Sequence, residues 1–276
     1  MKRILSNVAI TLMLIIGACF IGYPIFANLL STRQHGEVIQ DYQITVEQMN
    51  ASIMAEEKEK ALAYNQGLNG MVAHDPFIEG SGYVLPENYL DCLNVDGIMG
   101  TLVIDKINVN LPIYHGTRDE VLRKGVGHIK ETALPIGGKG SHAVLTSHSG
   151  LNDAKLFTEL EQLVKGDTFE IHVLDEILTY QVDQIKVVEP NQTDELKAVP
   201  GKDYVTLLTC TPIGVNSHRL LVRGERIFQE PQAEETQETV NRSYVILAAA
   251  TVILVPIVLL ILYWMTQRKT RKKRSM

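Results

Sequence analysis

The fold class this sequence predicts is mainly β: a barrel or sandwich preceded by helices and held between two membrane-spanning segments. Three observations predict it. From Gly97 onward, short apolar runs recur with Gly, Pro and Asn between them, as in proteins of many short strands. Ahead of them, apolar residues repeat at spacings of three and four, the period of a helix face. Near each end lies a long run without a charged side chain, and a hydrocarbon core needs about 20 apolar residues to span it.

The elements follow in chain order. Residues 1–3 hold Lys2 and Arg3, and residues 4–30 form the first apolar run. No clean small-residue cleavage site follows its core, so an uncleaved anchor is favoured over a secretory leader. Ile16-Gly-Ala-Cys19 has the form of a lipobox, but the apolar run continues well beyond Cys19. Residues 31–70 read as helix, with Val38, Tyr42, Val46, Met49 and Ile53 on one face. A loop is expected over 71–94 and contains Asp75-Pro-Phe77. The β domain is assigned to 95–227.

Its expected strands are 100–104, 109–114, 142–146, 168–173, 178–182, 184–188, 204–208 and 220–224. Lys155 to Leu163 is expected to make one or two helical turns. Residues 228–242 lack core-forming side chains and read as an acidic linker. Residues 243–264 form the second apolar run, which tolerates Pro256 because membrane helices re-satisfy the freed carbonyl. Residues 265–276 are a basic tail. With basic residues outside both runs, the positive-inside rule puts both termini in the cytoplasm and the β domain on the extracellular face.

Composition excludes several function classes. The net charge of −6 gives no support to nucleic-acid binding. Of the three cysteines, Cys19, Cys92 and Cys210, no two have metal-ligand spacing. No disulfide framework, metal or cofactor is expected.

The chemistry points to one constellation. If 204–210 is a strand, Leu208 and Cys210 share a face, and Pro212 and Gly214 turn the chain just beyond the thiol. Arg219 opens the next strand, where a fixed cation can hold a carbonyl or developing oxyanion. His218 is its neighbour and must face the other way, whereas Arg223 shares its face two pleats on. His148, in Val144-Leu-Thr-Ser-His-Ser-Gly150, also follows an apolar run and can serve as acid or base to the thiol. Taken singly, each has a plainer reading: a buried structural Cys, a solvated Arg, a structural His. A Cys, a His and an Arg together outside a membrane suggest a thiol transpeptidase.

These residues resemble a known family. Leu207-Leu-Thr-Cys-Thr-Pro-Ile-Gly-Val-Asn-Ser-His-Arg-Leu-Leu-Val-Arg-Gly224 is similar to the signature of sortases of the pilus-assembling class C, as are Lys106–Gly116, Gly125-Val-Gly-His128 and Leu134-Pro-Ile-Gly-Gly138. The resemblance runs over roughly residues 35 to 264, and the double-anchor layout agrees with it. It implies a sortase-type closed β-barrel of about eight strands, with Cys210 as nucleophile, His148 as general acid/base and Arg219 as carbonyl stabiliser.

It further implies a substrate, a pilin subunit bearing an LPXTG-like sorting signal, and an acceptor, a pilin lysine amine. Asp75-Pro76-Phe77 resembles the aspartate-proline-aromatic lid of that class, with Asp75 paired to Arg219 and Phe77 over Cys210. The chain departs from the family pattern at Ser149–Asn152 and at Ile213. Two rivals remain at this point: a housekeeping-type sortase that uses cell-wall precursor as acceptor, and a membrane-tethered scaffold in which Cys210 is inert. A papain-like peptidase is disfavoured because its Cys precedes its His in the chain.

Overall fold

The computed structural model describes residues 2–68, 73–78, 87–190 and 192–228. The expected second span, 243–264, and the basic tail lie outside the described residues, as does the expected linker 228–242 except for its first residue. A compact unit spans Phe26–Gln229, separate from the residues up to Ile25.

Two helices lead. α1 runs Lys2–Gln48 and α2 Ala51–Gly67. The apolar part of α1 has a window of mean hydropathy 2.2 and is long enough to cross a membrane by length and composition. The single helical segment expected over 31–70 is therefore two pieces, and the first begins far upstream. The break has a local cause. Asn50 adopts φ −81° and ψ 159°, and its side chain accepts a hydrogen bond from the Ile53 amide at 2.9 Å, which caps α2. The break also ends the apolar stripe: Ile39, Tyr42 and Val46 are buried, but Ile53 is exposed. The Tyr42 hydroxyl accepts from the Leu174 amide at 2.8 Å and donates to the Met99 carbonyl at 3.4 Å. Burial pushes its pKa up to about 12, so it stays a neutral partner for both.

Eight strands close into a barrel: β1 Gly100–Ile104, β2 Val109–His115, β3 Val126–His128, β4 Ser141–Thr146, β5 Thr168–Val173, β6 Glu176–Val188, β7 Asp203–Thr211 and β8 His218–Arg226. Their order around the barrel is β1-β2-β3-β4-β7-β8-β6-β5. The β2–β3 and β4–β7 pairings are parallel and the others antiparallel. Short helices α3, Glu87–Leu90, and α4, Asp119–Lys124, lie in the connections. α3 falls within the 71–94 stretch expected to be loop. The turns expected over 155–163 narrow to a 3-10 turn at Leu160–Gln162.

The strand count matches expectation through two compensating differences. The runs 178–182 and 184–188 are one strand, β6, with an irregularity between Val182 and Gln184. That bulge reverses the in–out alternation without ending the pairing to β8. β3 was not expected. It has three residues, two of which are Gly127 and His128, and so carries no apolar alternation. Gly127 is needed there because a Cβ would stand 2.4 Å from the Gly116 carbonyl oxygen.

The barrel interior is filled by alternate residues, among them Leu102, Ile113, Leu145, Phe169, Leu207 and Val222, each of which stabilises the fold by about 1.5–3 kcal/mol when fully withdrawn from water. Their strand neighbours Val144, Leu208 and Leu221 point outward, yet are also buried. Ala73, Phe77, Ile129 and Leu196 cover them. This second cluster lies on the outer wall of β4, β7 and β8, and the candidate residues Cys210 and Arg219 belong to that wall.

Candidate active site

β7 and β8 are antiparallel, and Cys210 stands directly opposite Arg219 in their register. Because side chains alternate along a strand, Cys210 shares the outer face with Leu208, and Arg219 shares it with Leu221. Both are nearly withdrawn from solvent, at 9% and 6% exposure.

His148 arrives from the other side. β4 runs parallel to β7, with Thr146 opposite Leu208, and the residues after β4 continue alongside. The Ser147 amide donates to the Leu208 carbonyl at 3.3 Å, Thr209 Oγ1 donates to the Ser147 carbonyl at 2.8 Å, and Ser149 Oγ donates to the Cys210 carbonyl at 2.9 Å. His148 is thus held between two residues that are each bonded to the cysteine strand. The ends of β4 and β7 and the start of β8 bring His148, Cys210 and Arg219 to one end of the barrel.

The segment 73–78 lies against them. Arg219 Nε donates to both carboxylate oxygens of Asp75, at 3.0 and 2.9 Å, and Nη2 stands 2.8 Å from Oδ2. The Asp75 side chain is 2% exposed. Two opposite charges out of water in this geometry satisfy one another's desolvation, and removing either leaves the other uncompensated. Nη1 of Arg219 donates to the Asn216 and His218 carbonyls and so ties the β7–β8 loop to the same guanidinium. The Phe77 amide donates to Asp75 Oδ1 at 3.0 Å, a turn that Asp commonly starts. The Phe77 ring centroid lies 5.6 Å from that of His148 and 5.2 Å from the guanidinium carbon of Arg219. Asp75 and Phe77 together therefore engage Arg219 and His148. Pro76 is the corner between them. Beside them a recess is lined by Asp75, Val188, Glu189, Leu196, Leu208 and Arg219.

The electrostatics match a resting site. Burial pushes the Cys210 thiol above its ordinary range; Arg219 opposes this and Asp75 adds to it. A buried thiol at neutral pH is then protonated, and needs a base or an open site to react.

Two other sequence candidates are elsewhere. Arg223, on the face of Arg219, is paired with Asp183 at 2.6 and 3.0 Å and lies 4.1 Å over the Tyr204 ring. His218 bonds Ser217 Oγ and faces Glu189 at 3.3 Å. One neighbour was not anticipated: Asp119 Oδ1 lies 2.9 Å from His148 Nε2, and its other oxygen accepts from Arg123 Nε at 2.7 Å. The acidic start of α4 and the i,i+4 Arg were visible in the sequence, but nothing there tied them to residue 148. Among the described residues no group of three or more His, Cys, Asp or Glu could hold a metal ion.

Comparison with known proteins gives a family match over residues 102–227, to the model described as Sortase domain. Sortase C-1 of Streptococcus pneumoniae is 46% identical with a TM-score of 0.67, and the match covers 70% of this chain and 98% of that one. The pilus-related Sortase C of Group B Streptococcus is 45% identical with a TM-score of 0.65, covering 68% and 96%. Sortase A of Streptococcus agalactiae is 30% identical over 131 residues, 46% of this chain and 52% of that one, so the match spans about half the length of that relative.

Proposed function

The chain belongs to the sortase family, and on that premise we propose that it is a membrane-anchored cysteine transpeptidase that joins pilin subunits through a lysine amine. The observation that carries the reading is the facing pair Cys210 and Arg219 with His148 beside them. The 45% likeness to a pilus-related Sortase C supports pilin as the substrate class, and the apolar stretch of α1 supports an anchor.

In this reading the Cys210 sulfur attacks the Thr carbonyl carbon of an LPXTG-like sorting signal. The thiol proton passes to His148, and Arg219 stabilises the oxyanion that forms. His148 then protonates the leaving Gly amine as the C–N bond breaks, which leaves a thioester. The lysine amine of a second pilin gives its proton to His148 and attacks the thioester. An isopeptide bond forms and the thiol is regenerated. Asp75 and Phe77 act as the lid: while Asp75 occupies the Arg219 fork, no carbonyl oxygen can take its place there.

The experiment uses the full chain in detergent with Asp75→Ala and Phe77→Ala, an LPXTG-type peptide and intact mass measurement. The expected result is an adduct of the acyl fragment that is lost in Cys210→Ala. A Cys210 that resists alkylation and gives no adduct in the lid-opened chain would overturn the reading in favour of a scaffold. Addition of a lysine-bearing pilin should convert the adduct to an isopeptide-linked product.

A further inference from the structure

We infer that Asp119 is a positioning residue for His148, fixing which ring nitrogen carries the proton and which is left for proton exchange with the reacting thiol and amine. This deepens the proposed transpeptidase reading and rests on it for the catalytic readout alone.

The argument begins with the carboxylate. Asp119 opens α4, and its two oxygens are divided between two partners: one accepts from Arg123 Nε at 2.7 Å, the other lies 2.9 Å from His148 Nε2. Arg123 first, and His148 after it, hold the Asp119 carboxyl below its ordinary pKa. At neutral pH it is therefore an ion, with acceptors only. A nitrogen hydrogen-bonded to it must carry a hydrogen, so Nε2 is the N–H, and in the neutral ring the lone pair is then on Nδ1.

The rest of the surroundings hold this arrangement in place. α4 is tied to the strand end by Ser147 Oγ, which donates to the Gly125 carbonyl at 2.6 Å, one residue before the histidine. Leu122 of α4 is buried. The Phe157 amide donates to the His148 carbonyl at 3.0 Å. The ring itself is flanked by Phe77. The charged groups around this corner are Asp119, Arg123 and Asp153 on the α4 side and Arg219 and Asp75 beyond Phe77.

Exposure sets the expected size. The Asp119 and Arg123 side chains are 63% and 55% exposed, and ion pairs of that kind add little to stability. Removal of Asp119 should therefore leave the fold intact and change the histidine. A complete general acid/base contributes about 10²–10⁴-fold, so loss of its alignment by a solvent-screened partner should cost about tenfold in kcat, with KM for the peptide unchanged.

The test has two arms on the full chain in detergent. In the first, histidine-selective 15N spectra, with the His148 signals identified by their loss in His148→Gln, report the tautomer with no substrate present. The unmodified chain should show a single Nε2–H form, and Asp119→Ala a mixture of tautomers. In the second, Asp119→Ala in the lid-opened chain should lower kcat for thioacyl formation by about tenfold, with an unchanged melting temperature. An unchanged tautomer in Asp119→Ala overturns the inference, whatever happens to kcat. A changed tautomer with unchanged kcat overturns it too. If the lid-opened parent forms no adduct at all, the transpeptidase reading has failed, and the first arm still decides whether Asp119 sets the tautomer.

Discussion

Arg219 and Asp75 stand 144 residues apart in the chain and meet through three N···O contacts of 2.8 to 3.0 Å. The same guanidinium stands across the β7–β8 ladder from Cys210. One arginine thus holds the segment 73–78 against the barrel and, in the proposed mechanism, would also stabilise the acyl oxygen. In that reading, covering and reacting are alternatives at this residue.

The first prediction concerns the thiol. In the unmodified chain, the rate of Cys210 alkylation should rise with pH to an inflection above the ordinary thiol range, because burial and Asp75 both raise the thiol pKa. Asp75→Ala removes one of these causes and loosens the other, and leaves Arg219 free to act in the opposite sense. The inflection should move down, and the rate at pH 7 should rise by about tenfold or more, since even 1.4 kcal/mol of latch energy is a tenfold population. Rate–pH profiles with iodoacetamide decide it, and superimposable profiles would mean that Asp75 does not control access.

Arg219→Lys separates the two duties of that residue. A lysine cannot reproduce the fork that grips Asp75 and also bond the Asn216 and His218 carbonyls. Alkylation of Cys210 should speed up while acyl transfer to Cys210 falls by about 100-fold or more. A variant in which both rise together would show that Arg219 serves only the lid.

Gly150 tests the loop that backs the site. Its φ is +74°, and a Cβ there would stand 2.5 Å from Ile213 Cγ2 in the β7–β8 loop. Gly150→Ala should destabilise the chain by about 1–3 kcal/mol through backbone strain alone and push Ile213 away, slowing acyl transfer. Adding Ile213→Ala should restore part of the rate but little of the stability, which thermal melting and adduct kinetics measured together will resolve.

Acid should destabilise the domain through buried histidines. Burial holds His128 at about 3 and His142 at about 4, against an ordinary 6.5. Above 6.5 neither the folded nor the unfolded form carries the extra protons. As pH falls below 6.5 the unfolded chain takes them up first, so stability falls from there toward pH 4, with a slope of about 1.4 kcal/mol per pH unit for each fully linked residue. Melting curves between pH 7 and 5 should show the decline, and His142→Gln should flatten it. An unchanged slope in that variant would assign the acid sensitivity to other groups.

Much of this was legible in the sequence, for definite reasons. Cys210 and Arg219 flank a turn marked by Pro212 and Gly214, and period-two alternation fixes their common face, so their meeting followed from local pattern. Asp75 is different. Its partner is remote, and only the likeness to a family with such a loop pointed to it. Asp119 had no signal of either kind, because its role depends on where α4 is docked. β3 was invisible, since its three residues are held by pairing between β2 and β4 rather than by a pattern of their own. The bulge in β6 looked like a turn because both interrupt the alternation.

The pairing of β4 with β7 in parallel, and of β7 with β8 antiparallel, has an arithmetic consequence. Each candidate side chain is counted from its neighbour in whole residues, and the count has a parity. One residue added to β7 between Tyr204 and Leu208 would turn the sulfur from the outer wall into the barrel. Two residues would keep the face but slide it by about 7 Å along the strand, past its opposite number. Side chains along β7 can be exchanged for others of like size and polarity, while the length of the strand between Tyr204 and the thiol cannot change by even one.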